Sequence, residues 1–149
     1  ERPNLMREVA RLREITFRDA GGGTGLEMDM DQHDSGEDGF DQLIVWNPTD
    51  KEIVGGYRFI CGNKIEVKNG IANSPTTELF KFSDKFIKDY LPKSIELGRS
   101  FVQPNYQPTY NLRKGMYSLD NLWDGLGALV VDYPKIRYLF GKVTNILKA

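Results

Sequence analysis

The sequence predicts a mixed α/β sheet covered by helices, in a single domain that spans residues 1–149. Segments with apolar residues at helical spacing alternate with short β-rich segments in the order α, β, β, α, β, α, β, which is typical of such a sheet. A chain of 149 residues with 40% hydrophobic residues is also large enough to bury one core. Because the first residue is Glu1 rather than Met, we expect the chain to be a piece of a longer product.

The N-terminal part of the chain predicts one helix followed by a polar loop. Apolar residues recur every three or four positions from about Asn4 to Arg18, which is the pattern of an amphipathic helix. The glycines between Gly21 and Gly25 would end this helix and form a mobile hinge, since glycine adopts backbone conformations that other residues avoid. The loop that follows contains neither Lys nor Arg, and its seven carboxylates are Glu27, Asp29, Asp31, Asp34, Glu37, Asp38 and Asp41.

The middle of the chain predicts a hairpin and then a second helix. Residues 42–47 and 53–61 are β-rich and flank Asn47-Pro48-Thr49-Asp50, whose residues favour turns, so we expect an antiparallel pair of strands. Thr76 or Thr77 is a suitable cap for a helix that Pro92 would end. The side chains expected to share one face of that helix are Leu79, Phe82, Phe86 and Tyr90.

The last part of the chain predicts a strand, a helix and a further strand. The segment from Ile95 to Val102 is short and apolar-rich, as expected of a buried strand. Ser118 is a candidate cap for a helix that ends by Pro134, and residues 136–143 form another apolar segment. The residues expected to face inward from the helix are Leu119, Leu122, Trp123, Leu126, Leu129 and Val130.

Composition and charge argue against several classes of function. Twenty Lys and Arg against twenty-one Asp and Glu give a formal charge of -1, so no basic field favours nucleic acid. The longest apolar run, Leu126 to Val131, is far shorter than the roughly 20 residues of a membrane-spanning helix. One cysteine, Cys61, and no secretory signal at the start predict a reduced, cytoplasmic protein. A single Cys and a single His also predict no metal site.

Two groups of charged residues are candidates for a functional site. Asp29, Asp31 and Asp34 are so close in sequence that they would repel one another unless a cation met them, and an amine substrate is such a cation. A solvated loop is the alternative for these three residues. Glu96 and Arg99 lie in a segment too apolar for a surface strand, which indicates either a structural ion pair or a site. Residues three apart in a regular strand point to opposite faces, but a bulge at the intervening glycine would bring both to one face.

The chain carries four spaced motifs, which are in order Arg13-x-x-x-Phe17, Asp29-Met-Asp31-Gln-His-Asp34, Gly55-Gly-Tyr-Arg58 and Glu96-Leu-Gly-Arg99-Ser-Phe. Together they resemble the motifs of the acyl-homoserine-lactone-synthase-like branch of the GNAT acyltransferase superfamily. Within that branch the chain is most similar to the lipid-forming N-acyltransferases, often labelled haemolysins. These enzymes make N-acyl amino acids such as ornithine or glycine lipids.

The resemblance implies a GNAT-like fold in which an acyl thioester lies in a split between neighbouring central strands. The thioester would be carried by acyl carrier protein or coenzyme A, and the amine of a small amino acid would enter from the other side. The resembled proteins continue further than Ala149, so we expect a domain truncated at its C-terminal end. Carried over by position, the site residues are Arg13, Phe17, Asp29, Asp31, Asp34, Arg58, Glu96 and Arg99.

The chain departs from the lactone synthases at two places. The segment from Gly21 to Gly25 has no counterpart of their tryptophan, and aspartate stands at Asp29 where they usually have glutamate. Both departures argue against S-adenosylmethionine as a substrate. A synthase of acyl-homoserine lactone is therefore the alternative enzyme, and a non-catalytic module that binds an acyl carrier or a lipid is the third hypothesis.

The residue types suit acyl transfer apart from the resemblance. An amine must lose a proton before it attacks a thioester, and Glu96 and Asp31 are the candidate bases. Arg58 and Arg99 would either clamp the acceptor's carboxylate or hold the acidic loop closed. A bulged strand near Gly98 would supply a free backbone N–H to the thioester oxygen.

The acyl donor is expected at the end of the site-bearing strand and at the start of the last helix. Phe101 and Val102 occupy the strand end, and Arg113 and Lys114 add charge near the positive N-terminus of the helix. Two exposed basic residues in a loop are the alternative for Arg113 and Lys114. The basic stretch from Lys135 to Lys148, together with a lipid product, predicts peripheral contact with the inner face of a membrane.

Overall fold

A computed structural model describes residues 2–143 of the chain. Within that range, two long helices and two sheets are connected by short helical turns. The helices and strands are α1 (Pro3–Asp19), β1 (Asp41–Asn47), β2 (Glu52–Cys61), β3 (Val67–Lys68), β4 (Ile71–Ala72), β5 (Ser94–Val102), α2 (Leu112–Asp132) and β6 (Tyr138–Phe140). The turns are the 3-10 helices Gln32–Asp34, Gly62–Lys64, Pro75–Glu78, Leu91–Lys93 and Pro104–Tyr106, and the π-helix Phe86–Tyr90.

The main sheet has the strand order β1-β2-β5-β6. Its first two contacts are antiparallel and the contact between β5 and β6 is parallel, which confirms the predicted mixed sheet with covering helices. The parallel contact is short and runs from Ser94 opposite Tyr138 to Glu96 opposite Phe140. Because β5 continues to Val102, the second half of this strand leaves the contact with β6, and the sheet splits there.

The two α-helices pack on the sheet through separate apolar clusters. Val9 and Leu12 of α1 join Ile53 and Phe101 of the sheet. From α2, Leu129 is buried in a second cluster, whose sheet members are Tyr57, Phe59, Cys61 and Ile95. Burial of one such apolar side chain contributes about 1.5–3 kcal/mol. The helices thus fix the two central strands, β2 and β5, on which the candidate site lies.

Three predicted elements are confirmed. The first helix extends one residue beyond the predicted Asn4 to Arg18 at each end, and β5 covers the predicted apolar strand. β1 and β2 form the predicted antiparallel hairpin. In its turn, the Asn47 side-chain oxygen accepts hydrogen bonds from the N–H groups of Thr49 (3.0 Å) and Asp50 (3.2 Å). This local bonding is the reason that Asn favours turns.

The helix predicted between Thr76 and Pro92 is wrong in its first half, whereas residues 84–93 are helical. The first half is a separate 3-10 turn, because two serines each begin one of the two helical segments: the Ser74 hydroxyl accepts a hydrogen bond from Thr76 N (3.0 Å), and the Ser83 hydroxyl accepts one from Phe86 N (3.1 Å). The side chains of Phe82 and Phe86 still pack on an apolar cluster, as a core face should.

The predicted start and buried face of α2 are also wrong in part. Asn111 rather than Ser118 caps this helix, since its side-chain oxygen accepts from Lys114 N (3.0 Å). The Ser118 hydroxyl instead donates to the Lys114 carbonyl within the helix (2.7 Å). Leu129 is buried and Leu122 and Leu126 pack against its cluster, as predicted. The predicted inward residues that are exposed instead are Leu119 (50%), Trp123 (71%) and Val130 (49%).

The last strand is shorter than predicted. Only Tyr138–Phe140 of the predicted residues 136–143 is a strand. In the basic stretch, Arg137 donates to the Pro134 carbonyl (2.9 Å) and Lys142 donates to the Pro75 carbonyl (2.8 Å), while Lys148 lies outside the described residues. No helix between residues 2 and 143 has the length and apolar character needed to cross a bilayer.

The glycine segment after α1 is anchored rather than hinge-like. The buried carboxylate of Glu14 accepts hydrogen bonds from Thr24 N (2.9 Å), the Thr24 hydroxyl (2.6 Å) and Gly25 N (2.9 Å), and Arg18 pairs with it at 2.9 Å. Hydrogen bonds from Thr24 and Arg18 lower the pKa of Glu14 to about 2, although burial opposes its ionisation. The predicted mobile hinge is therefore corrected to a turn held by a buried anion, with Gly21 and Gly25 at the positive φ angles that favour glycine.

Candidate active site

A cleft of about 360 Å³ opens where β5 and β6 diverge. This volume lies within the range of small-molecule sites. The lining residues come from α1 and the loops after it, β2, the turn Pro75–Glu78, β5 and the segment after β6. They are Phe17, Ala20, Gly22, Asp31, Phe40, Arg58, Pro75, Glu78, Glu96, Leu97, Gly98, Arg99, Ser100, Lys142 and Val143. The structure thus brings together five of the residues predicted from the sequence, namely Phe17, Asp31, Arg58, Glu96 and Arg99.

Arg58 ties the acidic loop to β2. Its buried guanidinium donates from Nη1 to Asp31 Oδ1 (2.7 Å) and from Nη2 to Asp31 Oδ2 (3.0 Å), a bidentate pair. Nη1 also lies 3.1 Å from Asp34 Oδ2. The Phe40 ring centroid lies 4.9 Å from the guanidinium carbon, so an aromatic face covers the cation. Bidentate geometry with an aromatic cover suits arginine better than lysine.

Arg13 makes the second anchor of the acidic loop. This fully buried side chain donates from Nη1 to Asp34 Oδ1 (2.9 Å) and from Nη2 to Gln42 Oε1 (2.7 Å). Within the loop, the Asp31 side chain accepts a hydrogen bond from His33 N (2.9 Å), and the Asp34 side chain accepts one from Asp31 N (3.1 Å). These two reciprocal hydrogen bonds cap the N-terminus of the short 3-10 helix Gln32–Asp34. The loop is therefore ordered and not simply solvated.

The cations that meet the three aspartates belong to the protein. Arg13, Arg58 and Arg99 each lie within ion-pair distance of Asp29, Asp31 or Asp34. The expected cations are therefore present as guanidinium groups, and neutralisation of this loop does not require an amine substrate. The aspartates instead fix the positions of the arginines.

The carboxylates of Asp31 and Asp29 differ in how readily they ionise. Burial opposes ionisation of Asp31, but the hydrogen bonds and charge of Arg58 outweigh it and lower the pKa of Asp31 to about 2. Burial raises the pKa of Asp29, although Arg99 Nε lies 3.3 Å from its Oδ2 and opposes the shift. A carboxylate with a pKa of about 2 is a weak base at neutral pH, so this geometry disfavours Asp31 as a proton acceptor.

The predicted bulge in β5 is present. Gly56 pairs with Phe101 and Arg58 with Gly98, so Arg99 and Ser100 both lie opposite one residue of β2. Arg99 takes a φ of 51°, in the left-handed region, whereas the sequence led us to expect the irregularity at Gly98. Such a backbone conformation costs about 1–3 kcal/mol and is common at functional sites. The bulge places Glu96 and Arg99 on the same cleft.

Arg99 is held more loosely than Arg58. Its Nη2 lies 3.5 Å from Asp31 Oδ2, and its side chain is 34% exposed. Within residues 2–143, its Nε has no hydrogen-bond partner of good geometry, even though Asp29 lies close to it. The Arg58 side chain, which lines the same cleft, is 3% exposed, so Arg99 is the cleft arginine more accessible to a ligand.

Glu96 is the buried carboxylate of the cleft, at 2% exposure. The Ser74 hydroxyl donates to Glu96 Oε2 (2.7 Å) and the Thr76 hydroxyl donates to Glu96 Oε1 (2.6 Å). The sequence did not predict Ser74 or Thr76 as part of the site, because Thr76 was considered only as a candidate helix cap. The dipeptide Ser74-Pro75 before a threonine is a turn signal, but nothing local to it indicates contact with residue 96.

Some predicted site residues lie outside this cleft. Asp29 forms an ion pair with Arg99, and Asp34 forms one with Arg13, but these two aspartates and Arg13 do not line the cleft. The Phe101 side chain packs in the core with α1, and Val102 pairs with Gly55. Arg113 and Lys114 lie in the first turn of α2. Lys114 Nζ is 3.5 Å from Asp50 Oδ2 and 5.0 Å from the Tyr106 ring centroid, so it is already engaged with the β1-β2 turn.

Within the described part of the chain, no three His, Cys, Asp or Glu side chains are grouped to hold a metal ion. Cys61 is buried at the end of β2, and burial raises the pKa of its thiol. The charged side chains that line the cleft are the carboxylates of Asp31, Glu78 and Glu96 and the cations of Arg58, Arg99 and Lys142.

A mixed sheet covered by helices, whose two parallel strands diverge, is the arrangement of a GNAT-like fold. The family model described as acetyltransferase (GNAT) domain matches residues 12–114, and the chain belongs to this family. This result confirms the predicted superfamily, while the lipid-forming branch stays a prediction.

Two curated relatives are similar over almost the whole chain, and both are named glycine N(alpha)-acyltransferase. The protein of Bacteroides thetaiotaomicron is 58% identical over 145 residues, which cover 95% of this chain and 42% of the relative. The protein of Phocaeicola vulgatus is 52% identical over 143 residues, which cover 95% of this chain and 44% of the relative. The chain thus spans less than half the length of these relatives. No solved structure matches the chain.

Proposed function

We propose that the chain forms one domain of an N-acyltransferase that moves a fatty acyl group from a thioester to the amine of glycine or a similarly small amino acid. The product would be an N-acyl amino acid lipid. One observation carries the proposal: Glu96, a buried carboxylate, and Arg99, a partly exposed guanidinium, line the same cleft at the split of the sheet. The family and the names of the relatives support it.

The acceptor would be recognised through its two charges. An amino acid carries an ammonium group next to a carboxylate, and Glu96 and Arg99 present the complementary charges in one cleft. Arg58 makes a bidentate pair with Asp31, so we assign it to holding the acidic loop closed. Arg99, whose side chain is 34% exposed and lines the cleft, is assigned to the acceptor carboxylate, because bidentate guanidinium–carboxylate pairs are both strong and specific.

The transfer would proceed by direct attack. Glu96 takes one proton from the ammonium group, directly or through a water, and the neutral nitrogen attacks the thioester carbonyl. The C–N bond forms and the carbonyl oxygen becomes an oxyanion, for which backbone N–H groups of the bulge at Arg99 and Ser100 are the candidate donors. Collapse breaks the C–S bond, and the departing thiolate takes the second proton from nitrogen. The products are an amide and a free thiol, and Glu96 returns its proton to solvent.

The segment between β5 and α2 favours a donor with one phosphate over one with a pyrophosphate. Pyrophosphate sites use several free backbone N–H groups ahead of a helix. Here Pro104 and Pro108 have no N–H. The N–H groups that already donate to backbone carbonyls of the protein are those of Gln103, Tyr106, Gln107, Tyr110 and Asn111. We therefore propose phosphopantetheine on acyl carrier protein as the preferred donor rather than coenzyme A.

Mass spectrometry of lipids from a host that expresses the full reading frame around this chain would test the function. We expect N-acylglycine species that are absent from the same host without the gene, and purified protein should use glycine faster with acyl carrier protein thioesters than with coenzyme A thioesters. Consumption of S-adenosylmethionine would identify a lactone synthase instead. A folded, well-expressed protein that adds no species when candidate amino acids are fed would overturn the proposal.

The variant Arg99→Gln should lose affinity for the acceptor. Because a charge-assisted hydrogen bond contributes about 1.5–3 kcal/mol, we expect KM for glycine to rise about 10- to 100-fold. Steady-state kinetics with glycine and with an acceptor amine that has no carboxylate, such as ethylamine, would measure this. The parent and the variant should be equal with ethylamine, and an unchanged KM for glycine would remove Arg99 from acceptor binding.

A further inference from the structure

The turn Pro75–Glu78 and the serine before it are bonded to β5 through a single side chain. Ser74 and Thr76 are both buried, and their hydroxyls donate to the two different oxygens of Glu96. The Ser74 hydroxyl oxygen also accepts a hydrogen bond from Thr76 N (3.0 Å). Because this contact occupies a lone pair of the oxygen, the hydroxyl hydrogen remains for Glu96.

Both local contacts and a long-range contact hold this turn in place. The Thr77 hydroxyl lies at hydrogen-bond distance from the carbonyls of Ala72 (2.8 Å) and Ser74 (2.7 Å). Lys142, in the segment after β6, donates to the Pro75 carbonyl (2.8 Å). The two hydroxyl donors thus sit on a backbone that local and long-range contacts fix.

Glu96 differs from the aspartates of the site in the charge of its partners. Asp29, Asp31 and Asp34 each meet a guanidinium group, but no Lys or Arg forms an ion pair with Glu96 in the part of the chain that the structure describes. Hydroxyl donors orient a carboxylate without cancelling its charge. Each carboxylate oxygen accepts about two hydrogen bonds, so one hydroxyl on each oxygen leaves capacity for an ammonium group.

We propose that Ser74 and Thr76 are positioning residues that hold both oxygens of Glu96 in one orientation and leave its charge uncompensated for the acceptor ammonium. The inference rests on the proposed function, since it gives these hydroxyls a purpose only where Glu96 receives a proton. A precisely oriented base increases the reaction rate, because even a small displacement of the reacting groups from the productive geometry lowers the rate strongly.

The test uses Thr76→Val, which removes one donor at nearly constant volume, in the protein expressed from the full reading frame. We expect kcat with glycine to fall about 10- to 100-fold, the loss of one hydrogen bond to a charged group, with KM changed less. Thr76→Ser keeps the hydroxyl and should restore kcat to within about twofold of the parent. Thr16→Val is the matched control, because this buried threonine hydroxyl donates to the Leu12 carbonyl within α1 and lies outside the turn.

A double-mutant cycle separates positioning from mere stability. If Thr76 acts through Glu96, then Thr76→Val should cost little further kcat in a Glu96→Gln background. A Thr76→Val protein with the melting temperature and kcat of the parent would overturn the inference while the function stands. Equal kcat losses for Thr76→Val and Thr16→Val, or full additivity with Glu96→Gln, would also overturn it. A folded parent with no acyltransferase activity would instead refute the proposed function.

Discussion

Replacing Arg58 by methionine is expected to lower the free energy of unfolding by about 3–5 kcal/mol, the range measured when one partner of a buried ion pair is removed. Arg58 is 2% exposed and neutralises the carboxylates of Asp31 and Asp34, and the Asp34 side chain is fully buried. Methionine fills similar space but leaves two carboxylates without this cation. The acidic loop should then open or carry a large desolvation penalty. Urea denaturation at neutral pH would measure the loss.

Two further variants control this expectation. Arg58→Lys keeps the charge but not the bidentate pairing with Asp31, and should give an intermediate loss. Arg11→Met removes the exposed pair of Arg11 with Glu8, whose side chains are 50% and 43% exposed, and should cost less than about 1 kcal/mol. A loss for Arg58→Met no larger than that for Arg11→Met would show that the acidic loop does not depend on this arginine.

The elements that the sequence predicted well are those whose signals are local. The spacing of apolar residues in α1 and the turn at Asn47 both depend on residues within a few positions of one another, and both are confirmed. The helix predicted after Thr76 begins only near residue 84, because Ser83 carries a cap signal that the apolar spacing did not reveal. The hairpin of β3 and β4 was missed although Asn69-Gly70, at φ angles of 52° and 74°, is a strong hairpin signal.

The sequence predicted only those features of the candidate site that depend on residues within one short segment. The charged pair in the apolar strand β5 indicated a bulge, and the structure contains one. The partners of the aspartates were not predictable, because Arg13, Arg58 and Arg99 are distant in sequence and meet only when α1, β2 and β5 pack. The same reason applies to Ser74, which is 22 residues from Glu96. Spacing along a chain carries no information on such contacts.

The exposed face of α2 shows a limit of periodicity. Trp123 and Leu119 have the helical spacing of core residues, but they are exposed, whereas α2 packs on the sheet through Leu122, Leu126 and Leu129. An apolar stripe on a helix indicates that the stripe is suited to burial, not which face meets the sheet. Here two apolar stripes share one helix, and the sequence alone gave no means of choosing between them.

Replacing Glu96 by glutamine should reduce kcat for the acylation of glycine by about 10²- to 10⁴-fold, the contribution typical of a positioned general base. Glutamine has nearly the same shape, but an amide accepts no proton from an ammonium group at neutral pH. Its carbonyl oxygen can still accept a hydrogen bond from Ser74 or Thr76, so the fold should remain. The rate of thiol release from the acyl donor, measured at saturating glycine, would report kcat.

Glu78→Gln is the matched control, since Glu78 lines the same cleft but is 61% exposed at its side chain and contacts Lys142 at 3.4 Å. An exposed carboxylate without a catalytic role should change kcat by less than about twofold. If Glu96→Gln keeps the kcat of the parent while Glu78→Gln is slow, the base is Glu78. If both variants keep it, proton removal involves neither Glu96 nor Glu78, and Asp31, the remaining carboxylate of the cleft lining, becomes the next residue to replace.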